Sequence, residues 1–157
     1  MARKKNSKIC EEQNRFSIDE CLGFIANRLV RVFQKAFDKK LEAHGLTSAQ
    51  FCVLAKLLEE EGITQTELAH RLYIESPTLV RTLDRMEEAN IIERRRDPSD
   101  RRAYHIHLKP KGKKMRDFVD EIGFAVHQEA TKGLTKDQIE NLRSTLFRIW
   151  QNLENLQ

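Results

Sequence analysis

Only three residues, Tyr73, Ile74 and Glu75, separate two stretches of helical periodicity, and that short link constrains the chain more than any other feature. The first stretch runs from Gln65 to Leu72 and is introduced by Thr64. The second opens at Ser76-Pro77-Thr78 and continues to about residue 89. A link of this length forces the two helices to cross steeply and to share one small core, which is the geometry of a helix-turn-helix. Two runs of alternating character follow at residues 91–96 and 103–108, on either side of the turn formers Asp97-Pro98-Ser99-Asp100-Arg101-Arg102, and they are expected to form a hairpin.

Helix start signals punctuate the rest of the chain. Ser17 with Glu20 reads as a capping box and Phe16 with Cys21 as a hydrophobic staple, so a long helix is expected from there to Gly45. Its apolar residues Ile18, Leu22, Ile25, Leu29, Val32/Phe33, Phe37 and Leu41 recur every three or four positions and are expected to be buried along one stripe. The same signal recurs at Leu46-Thr47-Ser48-Ala49-Gln50-Phe51, at Ile63-Thr64-Gln65-Thr66-Glu67-Leu68 and at Leu134-Thr135-Lys136-Asp137-Gln138-Ile139. A second helix over about 48–60 should bury Phe51, Val53, Leu54, Leu57 and Leu58. After Lys109-Pro110-Lys111-Gly112, which should interrupt regular structure, a helix over about 113–132 carries Met115, Phe118, Val119, Ile122 and Val126. The last helix shows Ile139, Leu142, Leu146, Ile149/Trp150, Leu153 and Leu156 on one face, and that stripe needs a partner: the first helix and the preceding one, together with a second subunit, so a homodimer is expected. The fold class expected is mainly α with a small β-hairpin wing, a winged helix-turn-helix carried by a helical dimerisation lobe. Residues 1–15 are expected to form a flexible basic arm, 16–46 and 111–157 the dimerisation lobe, and 47–110 the winged helix-turn-helix lobe.

The 157 residues carry a net charge of only +4, so its placement matters more than its total. Residues 91–116 hold ten Lys/Arg against three Asp/Glu, residues 1–8 add +4, and the remainder is therefore about −7. A basic face on an acidic body suits a polyanion, although a charge run can also be a solvated face. Three cysteines, Cys10, Cys21 and Cys52, leave one unpaired in any disulfide scheme and none has C-x-x-C spacing. With neither a spanning apolar run nor a signal-like start, a cytoplasmic protein without membrane association is expected.

Within the second helix of the motif, Leu79, Leu83 and Met86 lie at i, i+4 and i+7 and must face the core. The opposite face then presents Thr78, Arg81, Thr82 and Arg85, with Ser76 at the start, where Pro77 suits the first helical turn and Ser76 is expected to cap. Arginine can contact guanine with two hydrogen bonds, and a helix N-terminus attracts phosphate. Arg94, Arg95, Arg96, Arg101 and Arg102 crowd the hairpin tip, a shape and charge suited to a minor groove. The alternative for that tip is an edge hairpin kept charged against aggregation.

These residues resemble the MarR family of winged-helix transcription regulators, and its SlyA-like branch in particular. The resemblance covers about residues 18–157. It rests on Leu29-Val30-Arg31, Leu46-Thr47, Ile74-Glu75-Ser76-Pro77-Thr78-Leu79-Val80-Arg81-Thr82-Leu83-Asp84 and, most specifically, Ser99-Asp100-Arg101-Arg102-Ala103. It implies a sequence-specific regulator that binds a pseudo-palindromic promoter site in double-stranded DNA as a homodimer, with the first helix and the last two interlocked. Ser76, Thr78, Arg81, Thr82, Arg85, Arg96, Arg101 and Arg102 are the DNA-binding candidates. The resemblance gives Arg81 a contact from the recognition helix and Arg102 one in the minor groove.

The resemblance also implies modulation by a small phenolic carboxylate, with Arg28, Arg31 and Phe51 as pocket candidates. An arginine pair can hold a carboxylate and Phe51 can stack on a ring, although Phe51 also reads as a staple residue and the arginines as ion-pair partners. Where members carry a histidine one turn beyond Phe51, this chain has Ala55. A cysteine-based redox sensor of the same fold is the alternative. It would use Cys21, but the position matching the sensing cysteine is nearer Gly23, the only tyrosines are Tyr73 and Tyr104, and both Cys21 and Cys52 also read as small buried hydrophobes. His105 and His107 share a strand face, yet no further ligand joins them, and His44, His70 and His127 are scattered, so no metal or other cofactor is expected. No glycine-rich phosphate loop, nucleophile elbow or paired-carboxylate set points to an enzyme.

Overall fold

The computed structural model describes residues 17–100 and 102–155, so the basic arm, Phe16 and Arg101 lie outside the described residues. The chain divides into two compact units, one ending at Ser48 and the other beginning at Ala49. The first unit is built on α1 (Leu22–Leu41). Ser17 makes no side-chain cap, and the expected capping box is replaced by a 3-10 turn over Ile18–Glu20. The extended backbone of Cys21 (φ −69, ψ 119) then breaks the run, so the α-helix begins only at Leu22. A second 3-10 turn, Glu42–His44, ends at Gly45, whose left-handed φ of 65° reverses the chain as expected. The carboxylate of Asp38 accepts the N–H of Ser48 at 2.8 Å.

In the second unit, α2 (Ser48–Glu59) buries Phe51, Val53, Leu54 and Leu57, while Leu58 is half-buried and Cys52 is exposed rather than in the core. The motif helices, α3 (Gln65–Leu72) and α4 (Ser76–Glu88), fall where the periodicity puts them. Leu79, Leu83 and Met86 of α4 are completely buried, as are Leu54, Leu57, Leu68, Ile92 and Ile106. One small core therefore serves both helices and the sheet.

That sheet has three strands, not two. β2 (Ile92–Arg96) and β3 (Tyr104–Leu108) pair antiparallel with Ile92 opposite Leu108 and Arg96 opposite Tyr104. On the other edge of β3 lies β1 (Ile63–Thr64), with Ile63 opposite Ile106. Gly62, at φ +76°, turns the chain into β1 and donates its N–H to the Ile106 carbonyl at 2.9 Å. Thr64 then ends the strand and starts the helix, its hydroxyl accepting the Glu67 N–H at 3.1 Å. Only half of the expected capping box forms there, because the Glu67 carboxylate pairs with Arg71 instead.

After β3 the chain is not irregular. Pro110 opens a short helix, α5 (Pro110–Lys113), and α6 (Arg116–Ala130) follows with Val119, Ile122 and Val126 buried. Gly133 at φ +86° ends that segment. α7 (Lys136–Glu154) begins with the full reciprocal capping box of Thr135 and Gln138. None of the described residues of α7 is buried, and on α1 only Leu41 is. The stripe expected to be covered along α1 is open instead: Leu22, Ile25, Leu29 and Val32 are exposed.

The connection after the wing depends on one glycine. A Cβ on Gly112 would stand 2.5 Å from the Ile91 carbonyl oxygen, which is itself fixed by the Lys109 N–H at 2.9 Å. Gly112→Ala is expected to lower the unfolding free energy by about 1–3 kcal/mol, the usual effect of overpacking, despite the better helix propensity of alanine. Chemical denaturation checks this, and a variant as stable as the parent would show that the carbonyl is free to move.

Candidate nucleic-acid interface

The turn between α3 and α4 is closed by Tyr73, which takes a left-handed conformation (φ 51°, ψ 40°) unusual for an aromatic residue. Its hydroxyl donates to Glu154 at 2.9 Å and its ring meets Trp150 edge-on at 5.6 Å, so the turn is tied to the end of α7. A cavity of about 550 Å³ lies at this junction, lined by Tyr73, Glu75 and Ser76 of the motif and by Trp150 and Leu153 of α7. Glu75, not Ser76, is the extended residue before α4, and Ser76 is the first helical residue. Its expected capping role is therefore displaced by one position, with Pro77 still inside the first turn, where its missing N–H is harmless.

With Leu79, Leu83 and Met86 turned inward, Ser76, Thr78, Arg81 and Arg85 stand exposed on the outer face of α4. Thr82 does not join them. It is only 8% exposed, and its hydroxyl donates back to the Thr78 carbonyl at 3.0 Å, because its position lies on the flank of the buried seam rather than opposite it.

The arginines of the wing divide into tied and open groups. Arg94, half-buried, reaches back to α4, donating to Asp84 at 2.7 Å, to Glu87 at 2.7 Å and to the Val80 carbonyl at 3.3 Å. It clamps β2 to the recognition helix and neutralises two carboxylates that would repel phosphate. Arg95 is paired with Glu93 at 2.8 Å. Arg96 lies over the Tyr104 ring, 5.9 Å from its centroid, with its charge exposed. Arg102 is also exposed, and its backbone N–H is fixed by the Asp100 carboxylate at 2.8 Å. Among the described residues, the side chains of Arg81, Arg85 and Arg102 form no ion pair.

Asp97 organises the tip. Its Oδ1 accepts the N–H and hydroxyl of Ser99 at 2.7 and 2.6 Å and the N–H of Asp100 at 3.0 Å, while Oδ2 lies 2.7 Å from Nε2 of His105. The other ring nitrogen of His105 lies 2.6 Å from the Gly62 carbonyl oxygen. The His105 hydrogen bond, followed by those from Ser99 and Asp100, holds the Asp97 carboxyl well below the usual range. Asp97 in turn raises the His105 imidazole above its ordinary value, helped by Gly62. Sequence reasoning placed both histidines on one strand face but missed this contact, whose partners stand 8 and 43 residues away.

The ligand candidates fall in different units. Arg28 and Arg31 are exposed on α1, Arg28 over the ring of Phe24 at 5.9 Å. Phe51 lines a cavity of about 450 Å³ in the second unit with Ala55, Val119, Gly123, His127 and Arg143. Sequence reasoning overlooked His127 and Arg143, which give this cavity a histidine from α6 and a cation from α7. The rest of the lining includes Asp120 and Phe124.

Residues 46–104, from the start of α2 to the beginning of β3, match the sequence model of the MarR family. Among solved structures, a MarR transcriptional regulator from Methanosarcina mazei Go1 shares 28% identity at a TM-score of 0.80, over 87% of this chain and 98% of that one. A mutant MarR from E. coli, complexed with operator DNA, shares 29% identity at 0.74, over 82% and 92%. CouR from Rhodococcus jostii RHA1, bound to p-coumaroyl-CoA, shares 27% identity at 0.73, over 86% and 95%. Identities this close to one another do not single out the SlyA-like branch. The family's sequence pattern lies across the helix-turn-helix and wing, and the likeness in fold extends over most of the chain. The chain is thus similar to MarR-family transcriptional regulators, in sequence over residues 46–104 and in fold over most of its length.

Proposed function

We propose that two copies of this chain bind a pseudo-palindromic promoter site, with α4 of each in a major groove and each wing tip at the adjacent minor groove. The observation that carries this reading is the division of the arginines. Arg94 and Arg95 are held by carboxylates, while Arg81 and Arg85 on α4 and Arg96 and Arg102 on the wing are open on the two elements that a winged helix presents to DNA. The fold shared with operator-bound MarR supports it. Ser76 and Thr78 add hydroxyl donors for phosphates, and Arg101, outside the described residues, adds charge beside Arg102. Thr82, facing inward, is left to stabilise the helix.

Dimerisation is proposed from the open stripes. Leu22, Ile25, Leu29 and Val32 on α1, and Leu142, Leu146, Trp150 and Leu153 on α7, are between 40% and 64% exposed. Apolar surface on that scale is costly in water and suits a second copy of the chain. In the dimer the stripes set the distance between two reading heads, about 34 Å for successive major grooves. Binding to chromosomal DNA places the protein in the cytoplasm in this reading. None of its helices among the described residues is long and apolar enough to cross a membrane.

A second reading concerns the cavity around Phe51. We propose that a small phenolic carboxylate sits there, its ring on Phe51 and its anion toward Arg143 and His127, and that it favours a head spacing unsuited to the site. Only a ligand that prefers one spacing can shift the balance. CouR, of similar fold, is bound to an aromatic thioester.

Two measurements test these readings. On a duplex selected from genomic fragments, Arg102→Ala is expected to weaken binding by about 1–3 kcal/mol and to flatten the salt dependence by roughly one phosphate, whereas Arg81→Ala also blurs sequence preference. Two variants that bind like the parent would remove the assignment. Salicylate titrated to millimolar levels into the complex is expected to release DNA, and less so with Arg143→Ala. Release unchanged by that substitution, or none at all, would overturn the cavity reading. The roles that the family resemblance gives Arg28 and Arg31 are tested by the same titration on their alanine variants.

A further inference from the structure

We propose that His105 is a positioning residue for DNA binding: as an imidazolium it joins Asp97 of the wing tip to Gly62 beside β1, and the tip is held in its DNA-ready form only while both ring nitrogens carry protons. The geometry leaves little choice about the protons. One ring nitrogen lies 2.6 Å from a backbone carbonyl oxygen and the other 2.7 Å from a carboxylate oxygen. Both partners only accept, so both nitrogens must donate, and a neutral imidazole has a single N–H. Loss of one proton therefore costs one of the two contacts, whichever tautomer remains.

The contact lies at the root of the tip. Through its other oxygen the same Asp97 carboxylate gathers Ser99 and Asp100, and its N–H donates to the Ala103 carbonyl at 3.0 Å, closing the turn. Asp100 in turn takes the N–H of Arg102 at 2.8 Å. A continuous hydrogen-bonded path thus runs from Gly62 through His105, Asp97 and Asp100 to the arginine proposed to enter the minor groove. Gly62 is anchored independently by its bond to Ile106, so the path starts from a fixed point in the sheet.

The surrounding charges are few. Arg95 lies opposite His105 on β2, but its guanidinium is paired with Glu93. On the same face of β3, His107 has Glu61 at 3.9 Å, and Glu61 is also paired with Lys113 at 2.9 Å. Burial, and then Arg95, lower the His107 imidazole. His105 shifts the other way, raised by Asp97 and Gly62. Its contribution is thus complete below the ordinary imidazole range and is lost as pH rises through the raised value, so the tip should loosen on the alkaline side.

This inference rests on the reading that the wing tip meets DNA, but the state of the ring can be measured without DNA. Nitrogen-detected NMR of the full chain, titrated from roughly pH 6 to 9, is expected to show both His105 nitrogens protonated at neutral pH. The amides of Ser99, Asp100 and Arg102 should move with the same midpoint. On one duplex, parent affinity is expected to fall about tenfold as the ring loses its proton, the scale of a lost charge-assisted hydrogen bond. His105→Gln should bind weakly without that pH dependence, and His105→Arg, which keeps its charge and several donors, should hold its affinity at alkaline pH. A singly protonated ring at neutral pH would overturn the proposal, as would one pH profile shared by the parent and His105→Gln. Absence of DNA binding by the parent at every pH would instead overturn the functional reading, leaving the NMR titration to decide the role of His105 in holding the tip.

Discussion

The buried seam of α4 is the constraint from which the rest of the reading head follows. Leu79, Leu83 and Met86 have no exposed surface, so the rotation of the helix about its axis is fixed by packing. Once that rotation is set, Arg81 and Arg85 can only face outward and Thr82 can only face the flank. A polar substitution in the seam would therefore disturb the direction of the arginines as well as the stability of the core.

Charge is apportioned with similar economy. α4 carries Asp84 and Glu87 as well as its arginines, and an uncompensated carboxylate there would oppose a phosphate backbone. Arg94 meets both from the adjoining strand, which locks wing to helix and leaves the remaining arginines as the net field of the surface. At the tip Asp97 uses its charge locally, gathering turn amides and the His105 ring, so its negative charge is screened by donors. A dense cluster of basic residues in the sequence thus resolves into a few open cations on a framework of paired ones.

Local patterns made much of this legible in the sequence. The bounds of α3 and the three-residue link followed from periodicity, and the existence of the hairpin from alternation, because both depend on neighbours a few residues away; its register, Ile92 opposite Leu108, did not. Thr135 with Gln138 formed the expected capping box, whereas Ser17 with Glu20 did not, since the extended Cys21 interrupts the helix before it starts. β1 escaped notice because two residues cannot show a period. Arg94 with Asp84 and His105 with Gly62 escaped because their partners are brought together by the fold over separations of 10 and 43 residues. Arg143 and His127 were missed for the same reason: each is unremarkable on its own helix, and only the packing of the second unit places them around Phe51.

The apolar stripes of α1 and α7 are where the single chain is least self-sufficient, and the proposed mechanism makes them part of the reading device rather than an unfinished core. In that proposal one head reads half a site, and the surface that joins two heads sets the spacing of the whole. Light scattering on the eluting protein, alone and on its selected duplex, tests this most directly. The account requires twice the 18.4 kDa of one chain in solution at micromolar concentration and two chains on each duplex. A mass of one chain in both states would contradict it.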